Sequence, residues 1–142
     1  MTNGSSGTEY FSALSSDEEG AKQEIILNSS YEEDVDESVS VLHQVDELME
    51  GKEEQQIQAL DLLLQFREQI GDTSDYLWRL CKAEYLLAVL AGQNGDTEKK
   101  KEMIMKSVES GKSALSADEN NSEAHKWFAI ALGSRGEFGG VR

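Results

Sequence analysis

Val41, Leu42, Val45, Leu48 and Met49 recur at three- and four-residue spacing until Gly51 interrupts them, which predicts a helix of about three turns beginning near Glu37. A second helix is expected over 52–70, with Ile57, Leu60, Leu63, Leu64 and Phe66 as its apolar stripe and Gly71 as its stop. Asp72-Thr73-Ser74-Asp75 then offers side-chain acceptors for the free amides of a third helix, from Tyr76 to about Ala91. Its apolar residues, among them Leu77, Trp78, Leu80, Cys81, Tyr85, Leu86 and Leu90, cover nearly the whole circumference. The pattern makes it the central, most buried helix.

Gly92-Gln93-Asn94-Gly95-Asp96 is a turn cluster, after which Asp96 or Thr97 can cap a fourth helix through Ala117 that packs Ile104, Val108 and Leu115. Gly111 falls on the same stripe. Glycine inside a helix costs roughly 1 kcal/mol relative to alanine, so its presence there predicts close approach of a neighbouring helix. A fifth helix follows Asp118-Glu119-Asn120-Asn121, carrying Ala124, Trp127, Phe128, Ala131 and Leu132 at helical spacing, and residues from Gly133 to Gly140 read as a glycine-rich tail. With no proline and no alternating pattern, the fold class is all-α. Short connections make successive helices antiparallel hairpins.

Charge changes the picture at the N-terminus. The 142-residue chain carries 28 acidic and 13 basic side chains, a formal net charge of −15, and residues 1–37 hold ten of the acids with a single base, Lys22. Such a segment, rich in Ser, Gly, Asn and Glu, buries too little apolar surface to offset the entropy of ordering and reads as a disordered acidic arm. The helical domain is then expected over 38–135 and a flexible tail over 136–142. Net negative charge repels phosphate backbones, which excludes nucleic acid and favours basic partners. No run of 18 apolar residues and no signal-peptide pattern occurs in the sequence, so it reads as cytoplasmic.

Little in the chain points to catalysis, and no cofactor is implied. Cys81 is the one cysteine, so neither an internal disulfide nor a cysteine metal cluster can form, and His43 and His125 lie in unrelated segments, which implies no metal. Cys81 itself reads as a packed small hydrophobe on the buried face of the third helix. Trp78, Leu80, Tyr85, Trp127 and Phe128 are read as core. No phosphate-binding loop, dinucleotide fingerprint or nucleophile elbow is present.

Helical hairpins in series prompt a search for a repeat near 34 residues. The run from Ala114 to Ala124 resembles the junction between tetratricopeptide repeats, with Glu119 where that family usually has proline. Gly136-Glu137-Phe138 matches the turn inside a repeat, and Trp78 with Tyr85 reproduces the spacing of a repeat's first helix. The fold expected is therefore a tetratricopeptide-like solenoid fragment. A fifth helix without its hairpin mate would leave Trp127, Phe128 and Leu132 partly exposed, so residues 122–142 are expected to fray and the sequence to be a short form of a longer protein.

The phrase Tyr76-Leu77-Trp78-Arg79-Leu80-Cys81-Lys82-Ala83 and the stretch Asp118–Ala129 resemble the regulator of microtubule dynamics family over roughly residues 38–138. The resemblance implies a tetratricopeptide-like domain, association with microtubules and spindle poles, and, for membrane-anchored relatives, work at organelle contact sites. Lys99, Lys100 and Lys101 read first as the solvated start of a helix. Contact with acidic tubulin tails is what the resemblance adds.

The acidic arm contains Glu9-Tyr10-Phe11-Ser12-Ala13-Leu14-Ser15, which resembles the FFAT motif read by the MSP domain of VAMP-associated proteins on the endoplasmic reticulum. Glu9, Tyr10, Phe11 and Ala13 match, while Ser12 stands where the motif has an acid, as in its phosphorylation-dependent version. A phosphate there would add about −1.5 to −2 charges. Ser15 and Ser16, each with an acid three positions on, are further candidate phosphorylation sites. Three functions follow in order: an adaptor whose arm binds a receptor and whose helices hold a second protein; a microtubule-binding module; and a lipid carrier with a groove between helices.

Overall fold

The computed structural model describes the backbone of residues 32–139 and the side chains of residues 37–138. Six helices run through this region: α1 (Glu32–Met49), α2 (Glu53–Gln65), α3 (Arg67–Ile70), α4 (Ser74–Gln93), α5 (Thr97–Ala117) and α6 (Ser122–Gly139). No strand occurs among the described residues. Residues from Val41 onward form one compact unit.

Each helix start after α3 is built from a local acceptor. Thr73 Oγ1 accepts from the Tyr76 N–H at 3.1 Å, Asp96 Oδ1 from the Lys99 N–H at 3.0 Å, and Asn121 Oδ1 from the N–H groups of Glu123 and Ala124. Gly71 and Gly95 hold φ of 87° and 78°, values that admit tight turns after α3 and α4 and that suit glycine. At the α1–α2 corner the Gln56 amide donates to the carbonyls of Met49 and Gly51. The chain reverses there within three residues.

One expected helix is two. The Tyr76 hydroxyl donates to the Leu63 carbonyl at 2.7 Å, taking the acceptor that the Arg67 N–H would use in an unbroken helix. A side chain inserted in the hydrogen-bond ladder is a recognised cause of a break. Phe66, at φ −100° and ψ 12°, separates α2 from α3 while staying buried. On α2 the inward residues are Ala59, Leu60 and Leu63, whereas Ile57 and Leu64, placed on the apolar stripe by sequence, are 46% and 50% exposed. At the other end α6 continues as helix through Gly133 and Gly136 to Gly139, where sequence predicted a glycine tail and an inter-helix turn. Glycine lowers helix propensity by only about 1 kcal/mol per site, and burial of Ala124 and Ala131 with half-burial of Phe128 carries the helix across.

α4 is the hub, packed against α2, α5 and α6. Ser74 meets Ala114 at one end of the α4–α5 pair and Gly92 lies beside Lys100 at the other, so these two helices are antiparallel. By the same logic α5 and α6 are antiparallel, with Phe128 on Gly111 and Glu137 near Lys100. α1, α4 and α6 run parallel, since Asp46 pairs with Arg79, Glu50 with Lys82, and Asn121 bonds Ser74 while Trp127 lies against Tyr85. Alternate helices thus lie side by side on one face and α2 and α5 on the other, the arrangement of stacked helical hairpins. Asn121 Nδ2 also reaches Asp75, and the Ser74 hydroxyl donates to the Ala114 carbonyl, tying the starts of α4 and α6 to the end of α5.

The close approach predicted at Gly111 is met by Phe128. A Cβ at that position would lie 2.8 Å from Phe128 Cδ1 and 3.1 Å from Phe128 Cα, a backbone atom that cannot swing away. Overpacking costs about 1–3 kcal/mol, more than the roughly 1 kcal/mol that alanine adds to an exposed helix. Gly111→Ala is expected to lower the urea midpoint of the chain. A raised midpoint would mean that α5 and α6 do not touch there.

Candidate interaction surfaces

Two surfaces carry the polar chemistry. The first is the face built by α1, α4 and α6. Arg79 reaches across to Asp46 with two parallel bonds, Nε to Oδ1 at 2.8 Å and a second nitrogen to Oδ2 at 3.0 Å, while its guanidinium lies 4.4 Å from the centre of the Trp78 ring. A planar, bidentate and stacked arginine fixes the distance between two helices better than a lysine would. Lys82 bonds Glu50 at 3.0 Å and sits 5.1 Å from the Trp127 ring, which also faces Lys126 and tilts against Tyr85 at 6.1 Å. Trp78 and Leu80 are buried, but Tyr85, Trp127 and Phe128 are only half-buried. The Trp127 indole N–H is buried without a hydrogen-bond partner.

The second is a groove of about 390 Å³ on the opposite side, floored by α4 and walled by α3 and α5. Leu77, Leu80 and Met105 supply its apolar surface; Glu84, Ser110 and Ser113 are among its polar groups. Glu84 is only 7% exposed, and its Oε1 accepts from the Ser110 hydroxyl at 2.6 Å. Burial pushes its carboxyl up from about 4.5 to about 7, against the opposing pull of the Ser110 bond, Lys106 and Arg67. One helical turn earlier the Ser107 hydroxyl donates to the Cys81 carbonyl at 2.7 Å and lies 3.4 Å from Cys81 Sγ. Burial raises the Cys81 thiol to about 11, despite the Ser107 bond, so it stays protonated and unreactive near neutrality.

Sequence reasoning passed over Glu84 and Ser110. A signal existed: Glu84 stands three residues after Cys81 and seven after Leu77, on the inward stripe of a helix apolar on almost every side. A charge in that register either pairs or shifts its ionisation, and Ser110, three residues after Ser107, supplies the matching donor.

The basic concentration is dispersed by its helix. Lys99 and Lys101 are exposed, Lys100 turns toward Glu137 at 3.7 Å, and Lys106 and Lys112 face Glu102 and Glu109 on α5 itself. Solvated pairs of this kind contribute little stability. No group of three or more His, Cys, Asp or Glu able to hold a metal occurs among the described residues, and no described helix is long and apolar enough to cross a membrane. The FFAT-like residues Glu9, Tyr10, Phe11, Ser12, Ala13 and Ser15, together with Ser16, lie outside the described residues.

The helical unit from residue 41 onward coincides with a family match. The model of the family described as regulator of microtubule dynamics protein 1-3 covers residues 41–142. The chain belongs to the regulator of microtubule dynamics family. It is 36% identical to regulator of microtubule dynamics protein 3 of Xenopus laevis over 109 residues, 76% of this chain and 23% of that protein. Against regulator of microtubule dynamics protein 1 of Bos taurus it is 35% identical over 102 residues, 72% of this chain and 30% of the relative. The matched segment thus spans less than a third of the length of these family members, 23% of one and 30% of the other.

Within this family domain the Glu84 carboxyl links stability to pH. Its folded-state value is raised, so the folded chain holds the proton more tightly than the unfolded one. The resulting stabilisation is complete below about pH 4.5 and is lost as pH rises through about 7. Glu84→Gln keeps an oxygen for Ser110 and removes the titration. Urea denaturation at pH 5.5 and 8 is expected to show the stability of the variant relative to the parent rising by about 2 kcal/mol at the higher pH. A difference independent of pH would contradict a desolvated Glu84.

Proposed function

We propose that this chain is a non-enzymatic adaptor: its helical array holds one protein partner, and its acidic arm binds the MSP domain of VAMP-associated proteins when Ser12 is phosphorylated. The observation that carries the array's part is its architecture. Stacked helical hairpins leave an extended face of regularly spaced side chains, and such surfaces serve recognition. A binding role rather than a chemical one is supported by Cys81, whose buried thiol is held well above neutrality. Relatives bear the name regulator of microtubule dynamics, which supports a role at or near microtubules; a cytoplasmic placement that includes spindle poles is part of the proposal.

The arm's part rests on its sequence. Acidic residues around Tyr10-Phe11 would steer encounter with a basic receptor surface, while Phe11 and Ala13 fill small apolar pockets. A phosphate on Ser12 would supply the charge that the motif's fourth position needs, and Ser15 and Ser16 are further modification sites. Recruitment of this kind would bring the array to the endoplasmic reticulum and its contacts with mitochondria. The alternative is a microtubule-binding module, in which Lys99, Lys100 and Lys101 touch acidic tubulin tails and the arm only solubilises. A chain of −15 repels those tails, which sets this reading second.

Calorimetry of an MSP domain with the 3–21 peptide, unmodified and phosphorylated on Ser12, tests the adaptor reading. Micromolar-range binding that needs the phosphate and disappears with Phe11→Ala is expected. Absence of binding in both forms would remove the arm's role and leave the cytoskeletal reading in front.

A further inference from the structure

We propose that the groove between α3 and α5 is a docking site for an arginine side chain of a partner protein, with Glu84 as its counter-ion. The proposal rests on reading the helical array as a partner-binding surface and names the chemistry of what one part of it accepts. Three observations converge there. Leu77 and Leu80 give the floor an apolar stretch, and Met105, a flexible side chain left 43% exposed, lines the groove beside them. The floor carries a carboxyl more than nine-tenths buried. The two cations that line the same groove, Arg67 and Lys106, pair with Asp72 and Glu102 rather than with this carboxyl.

That last point decides the occupant. Arg67 on α3 bonds Asp72 at 3.0 Å, and its guanidinium lies 5.8 Å from the centre of the Tyr76 ring. Lys106 on α5 pairs with Glu102 at 3.5 Å, and Glu109, the other carboxylate of the groove, pairs with Lys112 at 3.6 Å. Among the described residues, Glu84 is therefore the groove carboxylate with no cation within 4 Å. Ser110 satisfies one of its oxygens, and a carboxylate accepts on both. A guanidinium fits this demand because it is planar, weakly hydrated and carried on an apolar stem that can lie along Leu77, Leu80 and Met105. The groove, near the lower end of the size of small-molecule sites, has room for one such side chain. The partner it selects is basic, in keeping with the −15 charge of the chain.

The test is an NMR titration of the full chain, isotopically labelled, with n-butylguanidinium as the probe and neutral n-butylurea as its isostere. Saturable shifts of the Met105 methyl and the Ser110 amide are expected with the cation and not with the urea. Glu84→Gln should weaken the cation's affinity roughly tenfold or more, because a charged hydrogen bond is replaced by a neutral one. Ser113→Trp, on the exposed wall, should block the groove while leaving Glu84 and its bond to Ser110 in place. The proposal is overturned by shifts that do not saturate, by equal response to both probes, or by unchanged affinity in Glu84→Gln. Calorimetry of the arm reads a separate segment, so the two results stand or fall independently.

Discussion

A helix that is apolar on almost every side must be enclosed, and α4 is enclosed by α2, α5 and α6. That constraint orders the rest. Leu77, Leu80, Cys81, Ala83 and Ala88 all fall below 4% exposure, which requires close neighbours on opposed sides of one cylinder. Small residues make the approach possible: Ala114 and Gly111 on α5, Ala124 and Ala131 on α6. The polar groups caught in the same seam find partners across it, the buried Ser107 hydroxyl on the Cys81 carbonyl and Glu84 on the Ser110 hydroxyl. Each bond contributes modestly, yet leaving the Ser107 hydroxyl or the Glu84 carboxyl buried without a partner would cost about 1–3 kcal/mol.

Enclosure also leaves the array's polar side chains on two outer faces. Burial shifts both the Cys81 thiol and the Glu84 carboxyl toward the protonated form, the thiol to about 11 and the carboxyl to about 7, so that of the two only Glu84 can ionise near neutrality. What the array offers instead is shape and fixed charge. On one side, parallel helices are spaced by the Arg79–Asp46 and Lys82–Glu50 bridges; on the other, a groove ends at Glu84. These belong to a domain of the regulator of microtubule dynamics family.

Much of this was legible in the sequence because its signals were periodic and local. The caps at Thr73 and Asp96 stood where acceptors preceded apolar stripes, and the glycine at 111 stood on the stripe it thins. The errors have physical causes. The break at Phe66 depends on a hydroxyl ten residues later in the chain, which no local pattern encodes. Ile57 and Leu64 have the right period for burial but sit beyond the reach of α4. Residues 133–139 read as tail because their glycines lower local helix propensity, whereas the packing of α6 on α5 that sustains the helix is non-local. Glu84 shares a stripe whose other members are apolar, and the period that marks the stripe as buried says nothing of how a lone carboxyl on it is paired.

The central claim is that the array is held together through α4. Native-state hydrogen exchange of the whole chain tests it most directly. The amides of Leu80 to Ala88 should open only with global unfolding, while those of α2, α3 and α6 exchange through smaller openings. If α4 opened locally while α2 or α6 stayed protected to the global limit, α4 would not be the element on which the fold depends.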